Sequence, residues 1–82
     1  MEEKLKQDIS FGDNLRRLRK KAGFSQEGLA ACLQLMDLPV SREIISQMEL
    51  GRYSVRVSVL LALKELYQVS FDDFFAGLTL KE

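Results

Sequence analysis

The sequence predicts a compact all-α domain of five helices, and three observations carry that expectation. Ser25, Ser41 and Ser70 each stand where a side-chain oxygen can accept a bond from an unpaired amide of a first helical turn. Each is preceded by an apolar residue whose partner lies one turn into the helix: Phe24 with Leu29, Val40 with Ile45, Val69 with Phe74. That is the spacing of a hydrophobic staple. Glycines recur near the expected helix ends, and the single proline, Pro39, falls between elements. No strand pattern is legible.

Helix one is expected over residues 11–22, with Leu15, Leu18 and Ala22 at helical spacing and Gly23 as a left-handed terminator. Helix two begins at the Ser25 cap and buries Leu29, Ala30, Cys32 and Leu33. Gly28 weakens it by up to about 1 kcal/mol relative to alanine unless packing needs the space. LQLMDLPV, residues 33–40, reads as a connector in which Pro39 fixes an extended approach to the next cap. Helix three starts after Ser41 and ends at Gly51. Helix four, from residue 55 or 56 to residue 67, is apolar on almost every side and is expected to be the central buried element. Ser70 and Asp73 have the spacing of a capping box for a short fifth helix reaching Gly77. The chain divides into an N-terminal extension over 1–10, one domain over 11–77 and a tail over 78–82.

Length and composition fit one small domain whose single core is only marginally stable. No apolar run is long enough to cross a membrane. The charged start, MEEKLKQDIS, lacks the apolar centre of a signal peptide, so a cytoplasmic protein is expected. Cys32 has no partner for a disulfide, and the chain contains no histidine. Without a histidine, a glycine-rich phosphate loop or a nucleophile elbow, enzyme chemistry is not expected, nor is a metal or a cofactor.

Net charge is zero, but its distribution is uneven. Arg16, Arg17, Arg19, Lys20, Lys21, Arg42, Arg52 and Arg56 lie in the centre, against Glu27, Asp37, Glu43 and Glu49. Glu2, Glu3, Asp8, Asp72, Asp73 and Glu82 gather toward the ends. The central segment is therefore basic, which suits a polyanionic partner. On charge alone a solvated charged face would read the same way.

Projected on a wheel, helix three turns Ile45, Met48 and Glu49 to one side and Glu43, Ser46, Gln47 and Leu50 to the other, with Arg42 and Ile44 on the flanks. The outward groups are of the types that read base edges. Gln47 could bond adenine, Arg42 guanine and Glu43 the cytosine amino group, while Ile44 could touch a thymine methyl. Any surface helix can carry such residues. Glu49, however, faces inward, and so does Arg19, four residues after Leu15 on helix one. Two opposite charges on core-facing surfaces are most economically explained by each other, because an unpaired buried charge is very costly.

LRRLRKKAGFSQEGLA followed by ISQMELGR resembles the Cro and lambda-repressor-like helix-turn-helix domains of bacterial and phage transcriptional regulators. The matching positions are Leu15, Arg16, Arg19, Gly23, Ser25, Gln26, Leu29, Ala30, Ile45, Ser46, Glu49 and Gly51, and the likeness extends over residues 11–75. It implies a lambda-repressor-like fold in which helix two positions and helix three reads the major groove. By the same resemblance Arg42, Glu43, Ile44, Ser46 and Gln47 are the base-reading candidates. Ser25, Gln26, Ser41, Arg52, Tyr53 and Arg16 are assigned to phosphates, and Arg19 with Glu49 to the structural ion pair. The connector is longer than the usual glycine-containing turn and resembles the long-turn branch of the family. Arg56 stands where that branch often carries a serine or threonine cap. Glu43 will repel phosphates and narrow the choice of sites.

The expected function is sequence-specific binding of double-stranded DNA by a transcriptional regulator, a repressor acting as a homodimer. Leu50, Phe75, Leu78 and Leu80 are the candidates for the dimer contact, whereas Phe74 is expected to close the core. The competing expectation is a protein-interaction or antitoxin-like module that keeps the fold with little DNA binding and uses its exposed apolar residues on a protein partner.

Overall fold

Three of the five helices start at the serine caps, whereas α1 and α4 start after Phe11 and Arg56 without a side-chain cap. The computed structural model describes residues 4–80, in the order β1 (Lys4–Leu5), α1 (Gly12–Lys21), α2 (Gln26–Leu35), α3 (Arg42–Glu49), β2 (Val55–Arg56), α4 (Val57–Tyr67) and α5 (Phe71–Phe74). Glu2, Glu3 and Glu82, counted above with the acidic ends, lie outside the described residues. Ser25 Oγ accepts from the Gly28 amide at 2.9 Å and Ser41 Oγ from the Ile44 amide at 3.2 Å. At α5, the Ser70 amide donates to Asp73 Oδ2 at 3.0 Å within a complete capping box.

The helix ends are as regular as the starts. At α1 the Phe24 amide reaches back to the Arg19 carbonyl and the Gly23 amide to that of Lys20; at α3, Arg52 and Gly51 do the same to Gln47 and Met48. Gly23 and Gly51 hold the left-handed conformation that this closure requires, with φ of 87° and 78°. α2 ends in the same motif without a glycine. Asp37 takes the left-handed position at φ 62°, its amide bonds the Gln34 carbonyl, and the Leu38 amide bonds that of Leu33. The expected connector is therefore shorter than residues 33–40: Leu33, Gln34 and Leu35 complete α2. A short polar side chain tolerates this conformation better than most, and Leu38 follows it onto the core beside Leu33.

The core gathers Leu15 and Leu18 of α1, Leu29 and Leu33 of α2, Ile45 and Met48 of α3, and Val59, Leu60, Ala62, Leu63 and Tyr67 of α4. Phe74 is fully buried among them. Leu61 faces outward from α4, and Cys32 is half-buried and free. Asn14 of α1 ties down the end of α5, its amide donating to the carbonyls of Phe74 and Ala76 at 3.0 Å each.

One feature corrects the all-helical expectation. β1 pairs antiparallel with β2, Lys4 opposite Arg56 and Leu5 opposite Val55. Each strand has two residues, too few for alternation to announce it, and the partners lie far apart in sequence. Val55 is fully buried and Leu5 packs on the core, so one face of the ribbon belongs to the domain interior. Beyond the ribbon, Gln7 Nε2 donates to the Met48 carbonyl at 3.2 Å and to that of Tyr53 at 2.8 Å, while its Oε1 accepts from the Phe11 amide at 3.1 Å. One side chain thus joins the end of α3, the loop after it and the start of α1. α1 and α3 also meet backbone to backbone, because Gly12 lies against the Glu49 carbonyl with no room for a Cβ.

Candidate nucleic-acid interface

α3 is held from behind and polar in front. Ile45, Met48 and Glu49 are buried; Arg42, Glu43 and Leu50 are exposed, and Ser46 and Gln47 are half-buried along the same outer side. Arg42 Nη2 lies 3.4 Å from Glu43 Oε2, an exposed contact that holds neither side chain firmly. Both groups are free to exchange it for a base edge. Ile44 falls on the flank instead, half-buried and packed against the core near Pro39 and Val40.

The locking element is the pair between Arg19 and Glu49. Arg19 Nε donates to Glu49 Oε2 at 2.7 Å and Nη2 to Oε1 at 3.1 Å, a two-pronged match between planar groups. The side chains are 7% and 6% exposed, so water competes weakly. Arg19 Nη1 also donates to the Phe24 carbonyl at 2.8 Å, which anchors the turn between α1 and α2. The hydrogen bond to Glu49 raises the Arg19 pKa above its ordinary value against the opposing effect of burial, so the guanidinium stays charged. Burial, with Glu49 nearby, pushes the Tyr67 phenol well above its usual range, leaving it neutral beside the pair.

Gln26 extends this network to the surface. Its Nε2 donates to Glu49 Oε1 at 3.1 Å from the first position of α2. The amide nitrogen carries a second hydrogen, and that donor is the one available to a phosphate. Arg16, Gln26 and Ser46 line one cleft with Asp13, Leu50 and the ion pair, so three of the sequence-assigned DNA contacts come together between α1, α2 and α3. Ser25 is exposed at the start of α2, and Ser41, half-buried, spends its acceptor on capping α3. Arg52 and Tyr53, both exposed, lie beyond the other end of α3 with Lys6 and Ser54. The phosphate candidates are thus not gathered in one place: Arg16 and Gln26 line one cleft, and Arg52 and Tyr53 another.

Of the dimer candidates, Leu50 is 58% exposed and separate from the others. Phe75 and Leu80 are exposed, and Leu78 is half-buried with its side chain partly against the core. These three line an open groove with Leu5, Ile9 and Phe11; the Phe75 ring lies 5.4 Å from that of Phe11. Phe71 is drawn to Lys64, whose ammonium lies 5.3 Å from the ring centre.

Sequence reasoning missed Gln7 and Gly12, which fix α3 against α1, and Lys4 and Lys6, which the ribbon brings to the Tyr53 side. The ribbon left no periodic signal, because each strand has only two residues. Gly12 left none, since a glycine opening a helix has no local meaning. Among the described residues no helix is long and apolar enough to cross a membrane, and no cluster of three metal-ligating side chains occurs.

A family model described as a helix-turn-helix domain matches residues 10–74. No curated protein and no solved structure gives a match.

Proposed function

The chain belongs to the helix-turn-helix domain family, and we propose that it binds double-stranded DNA sequence-specifically as a transcriptional regulator. The observation that carries the proposal is the coupling at Glu49. One buried carboxylate fixes α3 through Arg19 and orients Gln26 of α2, while the opposite side of α3 offers Arg42, Glu43, Ser46 and Gln47 to a groove. The positioning helix and the reading helix are thereby set in one rigid relation, which base readout requires. In this reading Gln47 and Arg42 discriminate bases, and Gln26, Arg16, Ser25, Ser41, Arg52 and Tyr53 hold the backbone. The likeness to Cro and lambda-repressor-like domains favours a repressor working in the cytoplasm.

Gel-shift titration tests the division of labour. Gln47→Ala will cost about 1–3 kcal/mol on the preferred site and relax the choice at one base pair. Gln26→Ala will weaken all sequences about equally, since phosphates carry no sequence information. Equal losses on preferred and random duplex for Gln47→Ala would remove it from base readout.

A single α3 reads too few base pairs to find one site in a genome. We therefore propose a twofold dimer through the groove of Phe75, Leu78 and Leu80, reading half-sites about one helical turn apart, roughly 34 Å. Sedimentation with a palindromic duplex will give two protomers per duplex. One protomer at saturation would exclude the dimer.

The same groove favours a second reading, a protein-interaction or antitoxin-like module, because an apolar surface beside the domain ends suits a protein partner. Binding to random duplex at low salt separates the two: the interaction module will show little or none.

A further inference from the structure

We propose that the β1–β2 ribbon is a second phosphate-binding element, in which Lys4 and Lys6 hold the DNA backbone beside the groove that α3 enters. The inference rests on the DNA-binding reading above for its ligand. The register sets the geometry. Directly opposed residues of an antiparallel pair project from the same face. Leu5 and Val55 turn into the core, so Lys4 and Arg56 stand side by side on the outer face.

The surroundings favour a phosphate. Lys4 and Arg56 border a cavity with Tyr53, Ser54 and, from the flank of α3, Ile44 and Met48. Its volume is about 110 Å³, below the ~300–1,000 Å³ of ordinary small-molecule sites. Recognition therefore belongs to its charged rim. Lys6 and Arg52 border the adjoining cleft on the other side of the Tyr53–Ser54 turn, where Asp8 is the acid. Arg56 is already engaged within the protein, so Lys4 of the ribbon and Lys6 just beyond it are the cations that this element adds. Cations spread along two adjoining clefts match a chain of phosphates better than one free anion. The element is also prepared in advance: the two bonds from Gln7 to the Met48 and Tyr53 carbonyls fix it to the end of α3. Whatever α3 reads, the ribbon keeps a set position relative to it.

The test is the salt dependence of binding by the full chain. Each phosphate contact contributes about 0.9 to the slope of log Kobs against log salt. The double variant K4Q/K6Q will have a slope shallower by about 1.8, and each single variant by about 0.9. Losses will be equal on preferred and random duplex, the selected site will not change, and the melting temperature will stay near the parent's because both lysines are exposed. K6Q alone leaves the ribbon residues intact and guards against a folding effect. DNA binding with the parent's slope in all three variants would overturn the ribbon proposal while leaving the function standing. A parent chain that fails to bind duplex at low salt would remove both.

Discussion

Glu49→Ala will melt at least about 12 °C below the parent, or will not fold cooperatively at all. The carboxylate accepts from Arg19 twice and from Gln26 once, in a site from which water is nearly excluded. Its removal leaves a buried guanidinium that keeps its bond to the Phe24 carbonyl but has lost its carboxylate. Breaking such a pair from one side costs about 3–5 kcal/mol, a large part of the ~5–15 kcal/mol that holds a domain together. For a chain of this size each 1 kcal/mol lowers the melting temperature by about 4–8 °C. The pair itself need not be strongly stabilising, because the loss comes from the orphaned charge. The double variant Arg19→Met/Glu49→Leu should accordingly recover much of the stability while losing the placement of Gln26. Thermal melts followed by circular dichroism distinguish the cases, and a Glu49→Ala variant that melts with the parent would show the pair to be absent or exposed.

Gly12→Ala will destabilise, although at an open helical position the same change would stabilise. Alanine in place of glycine ordinarily favours a helix by up to about 1 kcal/mol. Here the new Cβ would meet the Glu49 carbonyl oxygen, with the carbonyl carbon at 2.7 Å and the Gly51 amide nitrogen at 2.9 Å. All three are backbone atoms, so no side chain can swing away. The start of α1 must instead move off the end of α3. Overpacking of this kind costs about 1–3 kcal/mol, occasionally more. Because Glu49 itself is pushed, α3 shifts relative to α2 and DNA affinity falls with stability. Denaturant titration decides the sign, and a stabilised Gly12→Ala would show that α1 and α3 do not approach this closely.

The parts legible in the sequence were those written at fixed local offsets. Ser25, Ser41 and Ser70 announce helix starts because cap, staple and first turn lie within a few residues of one another. Glu49 was legible for another reason: a charge on the apolar side of a wheel demands a partner, and Arg19 was the opposite charge in the matching position on α1. The turn at Asp37 was missed because the left-handed conformation was sought at glycine, and the polar side chain does the same work without marking it. The ribbon was missed because two residues per strand carry no period and their pairing is set by the tertiary fold. Gln7 and Gly12 share that cause, since their meaning lies in contacts with Met48, Glu49 and Tyr53. At the interface the wheel placed Glu43, Ser46, Gln47 and Leu50 outward. It could not show that Ile44 would be taken up by the core near Pro39, or that Leu78 would be partly buried. Charge counting by segment likewise hid Lys4 and Lys6, which lie in an acid-rich stretch but reach the basic side through the ribbon.

Selection of binding sites from a random pool of duplex DNA tests most directly whether α3 reads bases. The parent chain should enrich a short palindromic motif whose half-sites lie about one helical turn apart. Gln47→Ala should enrich the same motif with one position in each half-site degenerate, and Arg42→Ala should degrade a different position. A pool that stays random after selection, or an identical motif from all three proteins, would contradict the account.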